Sequence, residues 1–390
     1  MHKISRREMM GTTGIALAGA MLGTTRRASA AQAKVMETKV ISHQPERYHG
    51  WPTIARRANG QLLVVCSGGR EAHVCPFGCV ELIRSDDGGE TWGWPCVVMD
   101  CEIDDRDAGV METNKGTLLV TTFTSLAYES GLKKAEAAEI SGSGKWPEDR
   151  LRRWRAAHNR LTAEQRQKAL SVWMIRSTDE GVTWSGRYES GVNSPHGPIQ
   201  LSDGRQLYAG KELWSGEHRI GVCESSDDGQ SWRWLAEIPS RAGDDPNGYH
   251  ELHAVEAADG RILVQIRNHN KANSGETLQT ESSDGGKTWS EPHSIGVWGL
   301  PSHLLRLKDD RLLMTYGHRR PPFGNQARLS NDHGRTWSEA MILSGDGPGG
   351  DLGYPSTVQR DDGALVSVWY EVMKGSPHAV LRQAIWNLEG

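Results

Sequence analysis

One eight-residue pattern, Ser-x-Asp-x-Gly-x-Thr/Ser-Trp, occurs five times, at residues 85–92, 177–184, 225–232, 282–289 and 330–337. Its residue types are those of a tight turn between strands. The aspartate accepts from backbone N–H groups and the glycine takes positive φ. The threonine and tryptophan begin the outgoing strand and cover the turn. Five copies in one chain demand a repeated supersecondary unit. They also account for a skewed composition, with 15 Trp against 3 Phe.

A second repeat sets the number of units. Polar turns followed by short apolar strands occur at Asn59-Gly60, Lys115-Gly116, Asp203-Gly204, Asp259-Gly260, Asp309-Asp310 and Asp362-Gly363. Six repeats of short strands, most of them 50 to 56 residues apart, read as an all-β fold, a six-bladed β-propeller. The segment 34–42 is expected to pair with the last blade and close the ring, removing a free sheet edge. One interval, from Gly116 to Gly204, is 88 residues. The excess, about residues 131–170, is rich in Ala, Glu, Lys and Arg, with apolar positions at Leu151, Trp154 and Leu161. It reads as a helical insertion in blade 2, either a wall of the substrate funnel or a surface decoration.

Upstream of the repeats, Arg6-Arg7, an apolar run at 14–22 and Ala28-Ser29-Ala30 resemble a twin-arginine export signal. Residues 1–33 are therefore expected to be a removable leader, and 34–390 a periplasmic or secreted propeller. The leader's apolar run is too short for a membrane span. With 45 Lys+Arg against 49 Asp+Glu, nothing points to nucleic acid as a partner. The six cysteines contain no C-x-x-C pair. Cys75/Cys79 and Cys96/Cys101 are candidate disulfides, and free buried thiols are the alternative.

Innermost strands of a propeller line its channel, so residues at a fixed offset from each turn form a ring. Nine positions before the turns stand Trp51, Asp107, Pro195, Glu251, Pro301 and Tyr354. Seven before stand Thr53, Gly109, Gly197, His253, His303 and Ser356, with His196 between the two rings at blade 3. Seven to ten positions after the turns come Arg70, Lys211, Arg267, His318, Arg319, Arg320, Tyr370 and Glu371. One mouth is thus expected to gather acids, a phenol, histidines and cations from distant segments.

The Ser-x-Asp-x-Gly-x-Thr-Trp repeat resembles the Asp-box of the sialidase (neuraminidase) superfamily, and two segments carry the likeness further. Residues 251–267 resemble the sialidase stretch with the catalytic Glu and a carboxylate-binding arginine, which implies those roles for Glu251 and Arg267. Leu352-Gly353-Tyr354-Pro355-Ser356, followed by Val368–Glu371, resembles the stretch with the nucleophilic Tyr and a supporting Glu. Arg319 or Arg320 stands where another substrate arginine is implied. A phenol titrates near ~10 and attacks only when a base removes its proton, the role implied for Glu251 toward Tyr354. Sialidases are retaining enzymes with Tyr as nucleophile.

Two positions depart from the family pattern. His49-Gly50-Trp51-Pro52 replaces the first triad arginine, leaving Arg47 or Arg106 as substitutes. Arg70-Glu71-Ala72-His73-Val74-Cys75 stands where the acid/base Asp is expected, so His73, Glu71 or Asp107 takes the proton-transfer role. The expected activity is an exo-glycoside hydrolase acting on a terminal acidic or unusual sugar of a glycan, with Tyr354, Glu251, Asp107 and His73 in the chemistry. Substrate contacts are expected from Arg267, Arg70, Arg319, Arg320, His196, His253, His303, Lys211, Glu371 and Trp51. No cofactor is expected, and no H-x-x-H spacing supports a metal. A polysaccharide lyase using His and Tyr, and a non-catalytic carbohydrate-binding propeller, are the alternatives.

Overall fold

The computed structural model describes residues 31–214 and 216–389; most of the leader lies outside them. Six four-stranded antiparallel sheets surround an axis, each a meander running outward from it. The innermost strands are Tyr48–Arg56, Asp104–Glu112, Ile199–Gln200, Tyr249–Glu256, Ser302–Arg306 and Leu352–Gln359. Blade 6 takes its outermost strand from the other end of the chain, Gln32–Val40, which pairs antiparallel with Ala379–Glu389. That closing strand starts two residues before the expected 34–42.

The second strand of each blade shows why the sequence runs apolar without alternation. In Leu62-Leu63-Val64-Val65, Leu62 and Val64 pack toward blade 6, while Leu63 and Val65 pack toward blade 2. Side chains alternate across a strand, and here both faces meet a neighbouring sheet. Six hydrophobic clusters result, one in each gap between blades. Each fully buried Val, Leu or Ile contributes about 1.5–3 kcal/mol.

The repeated turns join the third and fourth strands of blades 1 to 5. In all five, the serine hydroxyl donates to the aspartate at 2.7–2.8 Å and accepts from the glycine N–H at 2.8–2.9 Å. The aspartate also accepts from the N–H and hydroxyl of the Thr or Ser, and at Asp179 these bonds from Thr183 hold the carboxyl down to about 2. The Thr-Trp pair precedes the outer strand rather than beginning it: Trp92 is followed by an outer strand only from Cys96.

Between the second and third strands of blade 2 lie three helices, α1 (Tyr128–Ile140), α2 (Glu148–Asn159) and α3 (Ala163–Lys168). Their buried residues Tyr128, Leu132, Leu151 and Trp154 form a seventh cluster with Cys75 of blade 1. All six cysteines are free thiols, five of them buried. Among the described residues, no helix is long and apolar enough to cross a membrane.

Candidate active site

Four blades carry the same backbone irregularity at one height on the axis. Between Gly50 and Thr53, Arg106 and Gly109, His250 and His253, and Gly353 and Ser356, two residues oppose one on the second strand. The first extra residue of each bulge is Trp51, Asp107, Glu251 or Tyr354. All four take left-handed φ, at 54°, 48°, 50° and 53°. A bulge re-aims a side chain that regular pleating would send into the gap between blades. Left-handed backbone at a non-glycine residue costs on the order of 1–3 kcal/mol and clusters at functional sites. In blades 3 and 5 the position is Pro195 and Pro301, whose rings forbid positive φ.

Blades 4 and 6 bring Glu251 and Tyr354 into contact. The Tyr354 hydroxyl donates to Glu251 Oε1 at 2.6 Å. Arg267 Nη1 donates to Glu251 Oε2 at 2.5 Å and to the Tyr354 oxygen at 3.1 Å. Burial would raise the Glu251 carboxyl, but Arg267 and the Tyr354 hydroxyl outweigh it and hold the group below its usual value. Burial and the adjacent Glu251 charge push the Tyr354 phenol well up. They also push the Asp107 carboxyl up to about 7. Arg319 reaches the same place from blade 5, with Nε on Leu352 O at 2.9 Å and its guanidinium 5.6 Å from the Tyr354 ring centre. Beside Glu251 a cavity of about 90 Å³ is lined by Asp107, Asn193, Lys211 and His250.

A second polar group stands on the rim at blades 1 and 6. His73, half-exposed, has Nδ1 3.0 Å from Asp351 Oδ1 and 2.8 Å from the Tyr48 hydroxyl. Tyr48 and Tyr370 both donate to Asp351, at 3.0 and 3.2 Å. The buried Trp51 indole meets the His73 ring edge-on at 5.0 Å and the Tyr354 ring at 6.4 Å. Arg106 lies over the same indole at 4.4 Å, and its Nε has no hydrogen-bond partner among the described residues.

Several residues expected on the substrate side are placed elsewhere. Arg70 is wholly buried, donating to both oxygens of Asp104 at 2.6 and 3.1 Å. Glu371 is buried against Arg382 and the Trp369 indole N–H. Lys211 lines the small cavity with its ammonium tied to the carbonyls of Asn247 and Tyr249. Arg320 projects outward over Trp298. His253 and His303 stack at 4.5 Å, His196 meets both edge-on at 5.3 and 5.0 Å, and the three line a cavity of about 360 Å³ at the opposite mouth. Arg47 lines a separate surface pocket with Glu71 and Arg153. The offset count missed Tyr48 and Asp351. Carried three positions further back from the turns, it reaches both. Among the described residues, no group of three or more His, Cys, Asp or Glu is arranged to hold a metal ion.

Comparison with known proteins agrees with this architecture. A family model described as a BNR repeat-like domain matches residues 139–367. A protein of Bacteroides fragilis named sialidase is 25% identical over 319 residues, which cover 75% of this chain and 54% of that relative's length. This chain therefore spans about half of that relative. A protein of unknown function from Dyadobacter fermentans has a similar structure, with TM-score 0.71 and 21% identity, covering 93% of this chain and all of the other. The NanB sialidase of Streptococcus pneumoniae gives TM-score 0.63 at 15% identity, over 91% and 70% of the two chains. An intramolecular trans-sialidase from Ruminococcus gnavus gives 0.59 at 13%, over 87% and 94%. At these identities the structural likenesses speak to the fold.

Proposed function

Since the chain belongs to the BNR repeat-like domain family, we propose that it is a sialidase-type retaining exo-glycoside hydrolase acting on a terminal acidic sugar. The observation that carries this reading is the 2.6 Å hydrogen bond from the Tyr354 hydroxyl to Glu251, with Arg267 touching both. A phenol pushed up by burial stays protonated until a base takes its proton, and Glu251, held ionised by Arg267, is that base. In the first step the Tyr354 oxygen bonds to the anomeric carbon and its proton passes to Glu251, while the glycosidic C–O bond breaks and an acid of the funnel protonates the departing oxygen. In the second step water displaces Tyr354, giving one proton to the conjugate base of that acid, and Tyr354 recovers its own from Glu251.

A neutral nucleophile suits an anionic sugar, because a carboxylate nucleophile would repel it. Arg106, Arg267 and Arg319 surround the Tyr354–Trp51 face of the funnel and hold the sugar carboxylate by paired hydrogen bonds. Asp107, its carboxyl raised to about 7 by burial and the Glu251 charge, holds its proton far above the ordinary carboxylate range and donates to the sugar beside the small cavity.

The test is a screen of the purified protein and its Tyr354→Phe variant against sialosides and uronides, with products identified by mass spectrometry. Release of the free acidic sugar by the parent and loss of release in the variant support the reading. Full turnover by the variant rules out the mechanism, and an unsaturated uronide product assigns the fold to a lyase instead.

A further inference from the structure

We propose that His73 is the proton donor to the leaving oxygen, and that the helical insertion of blade 2 positions it through Glu71. This rests on the hydrolase reading above.

Three separate contacts converge on the short segment 70–73. From inside, the buried Arg70 guanidinium donates to Ala72 O at 3.3 Å and His73 O at 3.0 Å while held by Asp104 of blade 2. From outside, α2 grips Glu71: Arg153 Nε donates to Oε1 at 2.9 Å and the Trp154 indole N–H to Oε2 at 3.0 Å. Trp154 is itself fixed, edge-on to Trp146 at 4.6 Å and buried in the cluster that includes Cys75. From the funnel side, Tyr48 of the same blade and Asp351 of the adjoining blade 6 meet His73 Nδ1. The segment between two strands of blade 1 is thus clamped by an element more than eighty residues away in sequence.

The clamp delivers an imidazole whose Nδ1 is occupied and whose ring remains half-exposed beside Trp51. Asp351 and the Tyr48 hydroxyl, both on Nδ1, fix the orientation of the ring. Nε2 is left for substrate. Asp107 is the competing acid, but at 7% exposure it is closed in beside Glu251, on the nucleophile's side, whereas a leaving group departs through the open rim. In the first step His73 Nε2–H passes its proton to the glycosidic oxygen as the C–O bond breaks, leaving neutral imidazole. In the second, Nε2 takes a proton from the attacking water as the bond to Tyr354 breaks, which restores the imidazolium. The groups facing His73 are Tyr48 and Trp51 of blade 1 and Asp351 of blade 6, which also accepts from Tyr370, while Arg70 donates to the His73 carbonyl.

The experiment compares two sialosides, one releasing nitrophenolate, which needs no proton, and one releasing an alkyl alcohol, which does. For His73→Ala, kcat on the alkyl substrate should fall ~10²–10⁴-fold, the usual worth of a general acid, with little loss on the nitrophenyl one. For Glu71→Gln, the same selectivity is expected at roughly a tenth of parent kcat with KM unchanged, and this loss should vanish in the His73→Ala background. Faster amide hydrogen exchange confined to residues 71–78 in Glu71→Gln would support the latch independently of turnover. Equal losses on both substrates in His73→Ala, or a leaving-group-selective loss in Asp107→Asn instead, would overturn the assignment. An unchanged Glu71→Gln, in kinetics and in exchange, would overturn the latch. A fully active Tyr354→Phe control would instead mark failure of the hydrolase reading itself.

Discussion

Two rings of residues, two positions apart on the same six inner segments, differ in almost every physical respect. The ring holding Trp51, Asp107, Glu251 and Tyr354 is built on bulged, left-handed backbone and carries ionisable groups displaced from their ordinary titration ranges. In the next ring, Thr53, Gly109, His253, His303 and Ser356 return to regular pairing, and Gly197 lies two residues before the inner strand of blade 3. It is packed so closely that a Cβ on Gly109 would lie 2.6 Å from Gly197 N and 2.5 Å from Thr121 Oγ1. Its histidines are kept neutral by burial, which pushes His253 down to about 3 and His303 well down. Strain and charge are confined to one layer, and the layer beneath is a neutral plug that closes the funnel from the opposite mouth.

That contrast predicts different failures for substitutions in the two layers. The largest effect is expected from Tyr354→Phe, a loss of ~10³-fold or more in kcat on an aryl sialoside with an unchanged unfolding midpoint, because it removes the nucleophile and leaves the fold. Glu251→Gln should cost ~10²–10⁴-fold, the worth of a general base, measured on the same substrate. In the lower layer the sign reverses. Gly109→Ala should leave the activity of the folded fraction intact but lower stability by about 1–3 kcal/mol in denaturant titration, as overpacking does.

The effect that appears only away from neutral conditions is on pH dependence. A buried histidine whose folded pKa is depressed contributes stability that is present above its unfolded value of ~6.5 and lost as pH falls toward the folded value, at up to about 1.4 kcal/mol per pH unit. Asp105, raised to about 8 by burial, works the other way: its contribution is complete below ~4 and lost as pH rises through 8. His253→Gln should therefore flatten the loss of stability between pH 6.5 and 4, and Asp105→Asn the loss between 4 and 8. Both slopes come from denaturation at a series of pH values. An unchanged slope in His253→Gln would mean that the lower layer is not the neutral plug described, and an unchanged slope in Asp105→Asn that this carboxyl is not held protonated by burial.

The blades were readable because their turns are local: Gly60, Gly116, Gly204, Gly260 and Gly363 take positive φ, and Asp310 takes it at blade 5. The ring of Trp51, Asp107, Glu251 and Tyr354 was readable because a fixed offset from those turns fixes height on the axis. Offset does not determine which neighbour a side chain meets across a blade boundary. Arg70 and Arg267 both follow a turn by similar distances. Arg70 finds Asp104 of the adjoining blade and is buried, whereas Arg267 finds Glu251 of its own blade, facing the funnel. Glu371 and the axial histidines were misplaced for the same reason, their partners being set by packing between sheets. The insertion was legible as helix from its composition, but its grip on Glu71 depends on a contact that no local pattern encodes.

The central claim is a covalent bond between Tyr354 and the substrate. A sialosyl fluoride bearing a second fluorine next to the anomeric carbon forms such an intermediate quickly, because fluoride leaves readily, and releases it slowly. Incubated with the protein and followed by intact-mass and peptide mass spectrometry, it should add one sugar, on Tyr354, and add none to Tyr354→Phe. A sugar attached to any other residue, or no adduct from a preparation that hydrolyses sialosides, would contradict the account.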